Sequence, residues 1–168
     1  MDHSGAGWDD LDNGAAHRSA RASRRGSEPA PPRAWETFPH GADVGVRGYG
    51  ADLAEAFANA AVALTAVITD PNRVRPRRAV ELACRAPDRE ILLLDWLNAV
   101  VLAMAVEGLV FGRYEVDIQG DRLSARAFGE PVDVRRHGPA AEVKGATLTE
   151  LKVRHDGGRW LAQCVVDV

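Results

Sequence analysis

Between Asp88 and Gly108 the apolar residues Ile91, Leu92, Leu93, Leu94, Trp96, Leu97, Val100, Val101, Leu102, Met104 and Val106 cover nearly the whole circumference of a helix. A helix of that kind has to lie centrally in its domain or under a partner. Asp95 and Asn98 interrupt the run, and neither apolar stretch reaches the 18 or more residues of a membrane span, so it is read as a core helix. Pro87 before it and Gly108 after it set its limits at about Asp88 and Glu107.

The rest of the pattern is arranged around that element. A first helix follows Asp52, with Leu53, Phe57, Ala60, Ala61, Leu64 and Ile68 on one face; Asp52 and Glu55 have capping-box spacing, and Asp70-Pro71 stops it. Strands are expected at Val44–Tyr49, Val80–Cys84, Tyr114–Ile118, Leu123–Ala127, Val132–Val134, Val143–Leu148, Leu151–His155 and Trp160–Val168, with hairpin turns at Gly120-Asp121 and Asp156-Gly157-Gly158. Two helices ahead of mostly antiparallel strands make a single α+β domain over residues 34–168. Residues 1–33 contain no Ile, Val or Phe and are read as a disordered tail. Its early aspartates exclude a signal peptide, which gives a cytoplasmic expectation and no membrane association.

Composition removes several function classes. With 21 basic against 24 acidic residues and a net charge of -3, the chain is not a constitutive nucleic-acid binder by overall charge. Cys84 and Cys164 are too few for a disulfide framework and lack zinc-site spacing, so they read as small buried apolar residues. No P-loop, nucleophile elbow or zinc-protease motif is present, and Gly48-Tyr49-Gly50 reads as a tight turn, not a dinucleotide loop. The arginines from Arg73 to Arg78 read as a solvated loop, with docking to RNA or an acidic partner as the alternative. Asp167 is unusual: alternation in the last strand points it the way Leu161, Gln163 and Val165 point. Its neighbour Val168 adds the terminal carboxylate. If Asp43 joins them, three carboxylates converge, and a hard cation would relieve their repulsion.

The run His40-Gly41-Ala42-Asp43-Val44-Gly45-Val46-Arg47-Gly48-Tyr49-Gly50, the Leu53–Ala61 and Leu92–Asn98 helices, Glu107–Phe111, Gly129–Asp133 with His137, Glu142–Thr147 and the closing Val165–Val168 resemble the archease family. The blocks fall in the family's order across about residues 35–168. The resemblance implies a non-enzymatic accessory protein that promotes guanylylation and multiple turnover of an RtcB-type RNA ligase, the GTP- and Mn²⁺-dependent enzyme of tRNA splicing and RNA repair. It implies a metal site at Asp43, Asp167 and Val168, usually Ca²⁺, with Mg²⁺ or Mn²⁺ as alternatives. His40, His137 and Lys144 are neighbours of that site, and RNA is met only indirectly, through the ligase. Gly41 and Thr149 depart from the family pattern, where a hydroxyl residue and a histidine are usual. Two other readings stand beside this one. One is a chaperone-like modulator of an RNA-modifying methyltransferase, docking through the face around Trp96. The other is a metal-dependent hydrolase using Asp43 and Asp167 with His40 or His137 as base.

Overall fold

The computed structural model describes residues 32–168. The tail expected over 1–33 lies outside the described residues except for Pro32 and Arg33, which are exposed and outside any element. In chain order the elements are β1 (Trp35–His40), β2 (Asp43–Gly50), α1 (Leu53–Ile68), a 3-10 turn (Pro71–Arg73), β3 (Arg78–Arg85), α2 (Arg89–Glu107), β4 (Leu109–Gln119), β5 (Arg122–Pro131), α3 (Val134–His137), β6 (Gly145–Ala146), β7 (Lys152–Asp156) and β8 (Arg159–Asp167).

All strand pairings are antiparallel and form two sheets. The larger runs β1-β2-β8-β6, with β7 also pairing β8, and the smaller runs β3-β5-β4. Both long helices touch both sheets: α1 lies against β2, β8 and β4, and α2 against β3, β4 and β6. The α+β domain expected from the pattern is therefore built as two sheets with the helices shared between them. One continuous core results, centred on Trp96, Phe57, Phe111 and Leu64, all fully buried. Two hydrogen bonds tie its layers together. Trp96 Nε1 donates to Phe57 O at 3.0 Å, and Thr65 Oγ1 donates to Phe111 O at 2.7 Å. Burial pushes the Tyr114 hydroxyl, which meets Thr65 Oγ1 at 2.7 Å, above the ordinary tyrosine range.

The helix ends follow the expected chemistry. Asp52 Oδ1 accepts Glu55 N–H at 2.8 Å, while Glu55 reaches back to Ala51 N–H at 3.0 Å. Asp88 Oδ1 accepts the N–H groups of Glu90 and Ile91, and Gly108 ends α2 in the left-handed region at φ 65°.

Four expectations are corrected. Trp35–His40 is a strand that was not expected, paired with β2 through a two-residue turn in which Gly41 has φ 59°. Gly48 and Gly50 are not a tight turn: they lie inside β2, and a Cβ on either would run into the α1 backbone at Ala56 and Ala60. Val132–Val134 is not a strand, because Pro131 ends β5 and the Asp133 carboxylate caps the short helix α3 through the N–H groups of Arg135 and Arg136. Only Gly145–Ala146 of Val143–Leu148 pairs as strand; the turn beyond it passes through Glu150 at φ 54°. Both cysteines are free. Cys164 is buried and Cys84 half-buried, and desolvation pushes their thiols up to about 12 and about 11.

Candidate functional site

The register of the larger sheet determines which sequence-predicted residues meet. His40 pairs with Asp43 across the first hairpin. One step beyond the pair Val44 and Val166, the same register sets Asp43 opposite Asp167, and Asp167 in turn pairs with Gly145. Residues directly opposite in a sheet point to the same face. His40, Asp43 and Asp167 therefore stand in a row on the face turned away from the helices, since Val46, Ala162, Cys164 and Val166 occupy the helix side and are fully buried.

Val168 extends the row. Its backbone N–H donates to Asp43 Oδ1 at 3.4 Å, which anchors the chain end beside β2. Lys144 donates its backbone N–H to Asp167 O at 2.8 Å, and its side chain is exposed. Asp43 is half-buried, whereas Asp167 and His40 are exposed. Alternation did place Asp167 on the side of Gln163 and Val165, but at the strand end that side opens to solvent, so the carboxylate needs no buried partner. The Asp43 carboxylate bonds the residue that follows β8, Val168, and no group of the hairpin between β1 and β2.

Among the described residues no three His, Cys, Asp or Glu side chains converge as a metal cluster. The side-chain donors in the row are the carboxylates of Asp43 and Asp167, hard oxygen both, with the backbone of Val168 beside them. Their chemistry suits Ca²⁺, Mg²⁺ or Mn²⁺ better than zinc, with ligands left for water or a partner to supply.

His137 belongs to a different cluster. It is 2 % exposed, and both ring nitrogens are engaged: Nδ1 accepts Asp133 N–H at 2.8 Å, which leaves Nε2 as the protonated nitrogen, 3.0 Å from Glu130 Oε1. Glu130 is 1 % exposed and accepts Arg75 N–H at 3.0 Å. Arg136 Nη1 lies 2.7 Å from the same oxygen as an ion-pair contact without hydrogen-bond alignment, and Arg77 stands 3.7 Å from Oε2. Burial opposes ionisation of Glu130, but the Arg75 N–H, Arg136 and His137 together outweigh it and hold the carboxyl down to about 2. The arginine run is thus partly structural, since Arg78 also pairs with Glu107 at 3.5 Å. With both nitrogens taken, His137 is withdrawn from the role of base for Asp43 that a hydrolase reading gives it.

Trp96 is likewise not a docking surface, being fully buried. The exposed large apolar residues are Ile91, Leu102, Val106, Val132, Val134 and Leu148. Val132 also lines an apolar cavity of about 280 Å³ with Met104, Val110 and Val143. Ile91, Leu102 and Val106 were legible only as helix-wide apolarity, because periodicity does not say which part of such a helix stays uncovered. No helix among the described residues is long and apolar enough to cross a membrane.

The fold and this face define a small two-sheet α+β protein whose outer surface ends in paired carboxylates. The archease protein family model matches residues 35–168. A Pyrococcus abyssi protein named archease is 40% identical over 139 residues, 80% of this chain and 98% of its own length. A Thermococcus gammatolerans protein of the same name is 41% identical over 141 residues, 81% of this chain and 99% of its own. The solution structure of a Methanobacterium thermoautotrophicum protein aligns with TM-score 0.68 at 29% identity, covering 80% of this chain and 99% of the other. A crystal structure from Thermotoga maritima described as an archease and possible chaperone shares the fold, with TM-score 0.53 at 18% identity over 84% of this chain and 98% of the other. The chain belongs to the archease family.

Proposed function

We propose that the protein is a non-enzymatic activator of an RtcB-type RNA ligase, promoting the ligase's guanylylation and multiple turnover through a divalent ion held at Asp43, Asp167 and Val168. The observation that carries this reading is the register placing Asp43 opposite Asp167 on the outer face, with Val168 bonded to Asp43. Two carboxylates set side by side without a cation between them repel, and an incomplete set of oxygen donors on an exposed edge suits shared coordination with a partner's pocket. Ca²⁺ is the proposed ion. Bound there, it supplies positive charge that stabilises phosphoryl groups. The protein's own part is to present the row at the end of a rigid sheet, with His40 and Lys144 flanking it.

The test is the rate at which the cognate ligase becomes guanylylated from GTP. Asp43→Ala and Asp167→Ala are expected to fold normally and to lose the stimulation, by at least about tenfold for each, since each removes one of few ligands. Full stimulation by both variants would contradict the proposal.

A second reading has its own observation. The exposed Leu102, Val106 and Val132 beside the apolar cavity form a surface suited to a client protein. That supports a chaperone-like modulator of an RNA-modifying methyltransferase, in keeping with the words possible chaperone attached to the Thermotoga maritima structure. Loss of client binding in Leu102→Asp, with ligase stimulation intact, supports this second role.

A further inference from the structure

The carboxylate row occupies one end of the outer face of the larger sheet. Toward the other end, where β2, β8 and β7 lie side by side, a groove of about 510 Å³ is walled by Arg47, Tyr49, Lys152, Arg154, Arg159 and Gln163. Register accounts for its composition. Lys152 stands opposite Gln163, Arg154 opposite Leu161 and Arg47 opposite Gln163, so these cations project on the same side as Asp43 and Asp167.

The cations are not equally engaged. Arg47 donates to Gln163 Oε1 at 2.6 Å and to Glu36 Oε1 at 3.1 Å, which makes it part of the groove's frame. Lys152 meets Glu150 at 3.2 Å in an exposed pair that water screens, so its ammonium stays available to another anion. Arg154 is exposed, and among the described residues no carboxylate pairs with it. Arg159 sits over the Tyr49 ring, Cζ 3.9 Å from its centroid, while the Tyr49 hydroxyl donates to Glu36 at 2.7 Å and fixes the ring. Asp156 is the one acidic residue in the wall.

We propose that this groove binds single-stranded nucleic acid directly. Lys152 and Arg154 are two residues apart on β7, about 7 Å along the strand, which suits successive phosphates of an extended chain. The Arg159–Tyr49 stack offers a guanidinium plane and a fixed aromatic ring on which a base stacks without regard to its identity. An acidic protein segment satisfies the cations but makes no use of that stack, and the stack decides between the two. The net charge of the chain pointed to RNA being met only through the ligase; four cations gathered on one face outweigh that average locally.

The experiment uses the full chain alone, so its outcome is independent of the ligase proposal. Fluorescence anisotropy of a labelled oligouridylate of about 12 nucleotides, within the site sizes of single-strand binders, is followed across salt concentrations. Binding is expected to weaken with salt at a log–log slope of about -1.4, for the two phosphate contacts of Lys152 and Arg154. The double variant Lys152→Gln/Arg154→Gln is expected to lose on the order of tenfold in affinity and about 1.4 of that slope. Tyr49→Leu is expected to lose on the order of tenfold with the slope unchanged. Absence of binding, affinity unchanged in the double variant, or polyglutamate competing as well as unlabelled oligouridylate each overturns the proposal.

Discussion

Glu130 is the only buried carboxylate among the described residues, and its neighbours fix how stability depends on pH. Folding favours its ionised form, because its carboxyl falls from an ordinary 4.5 to about 2. A lowered carboxylate contributes its stability fully above the unfolded value, and that contribution is lost as pH falls from 4.5 toward about 2. Urea unfolding across this window is expected to show declining stability in the wild type and a flatter profile in Glu130→Gln. Glu130→Ala, which leaves the buried His137 Nε2–H and the Arg75 N–H without their acceptor, is expected to cost on the order of 1–3 kcal/mol. Little of this cluster was legible in the sequence: His137 stood out as a polar residue, but Glu130 entered only as one member of the Gly129–Asp133 block. Nothing local announces that Pro131 and the α3 turn fold back to bury it. Asp167 was legible, because alternation identifies a carboxylate on the face of Leu161 and Val165, whereas Asp43 was assigned to the same site only by the family resemblance. Their being opposite each other was not legible, since β2 and β8 are separated by more than a hundred residues and only tertiary register joins them.

At the scale of elements, the helices and their ends were readable because their signals are local. Asp88 caps α2 with two accepted N–H groups, so Asp88→Ala is expected to destabilise the fold by about 1 kcal/mol, measured as a lowered denaturation midpoint with unchanged slope. Strands were readable where hairpin turns flank them, as at Gly120 and at Gly157-Gly158, both with left-handed glycines. They were misread where alternation was accidental. Val132-Asp133-Val134 alternates like a strand, yet Asp133 spends its carboxylate on helix capping. β1 was missed because Pro39 and polar residues mask it; it is an edge strand whose Phe38 ring lies over Gly45, where any side chain would collide with it. The same close approach explains Gly48 and Gly50: small residues there let α1 settle directly on β2, a requirement that appears only once helix and strand are paired.

For the whole molecule, two sheets share two helices, and the outer face of the larger sheet is open at its two ends, with Gln163 and Val165 buried between them. That face is polarised along its strands, carboxylates at the end of β8 and cations near its start. The all-apolar α2 was read as central, and it is, through both sheets; its far end, at Leu102 and Val106, stays uncovered. On the proposed function, the acidic end renews an RNA ligase. The most direct measurement of that is ligation by limiting cognate ligase, with RNA ends and GTP in excess, in the presence and absence of this protein. Product is expected to rise well beyond one ligation per ligase with the wild-type chain and to stop near a single turnover with Asp43→Ala/Asp167→Ala. Equal turnover with wild type, with the double variant and with no added protein would contradict that function.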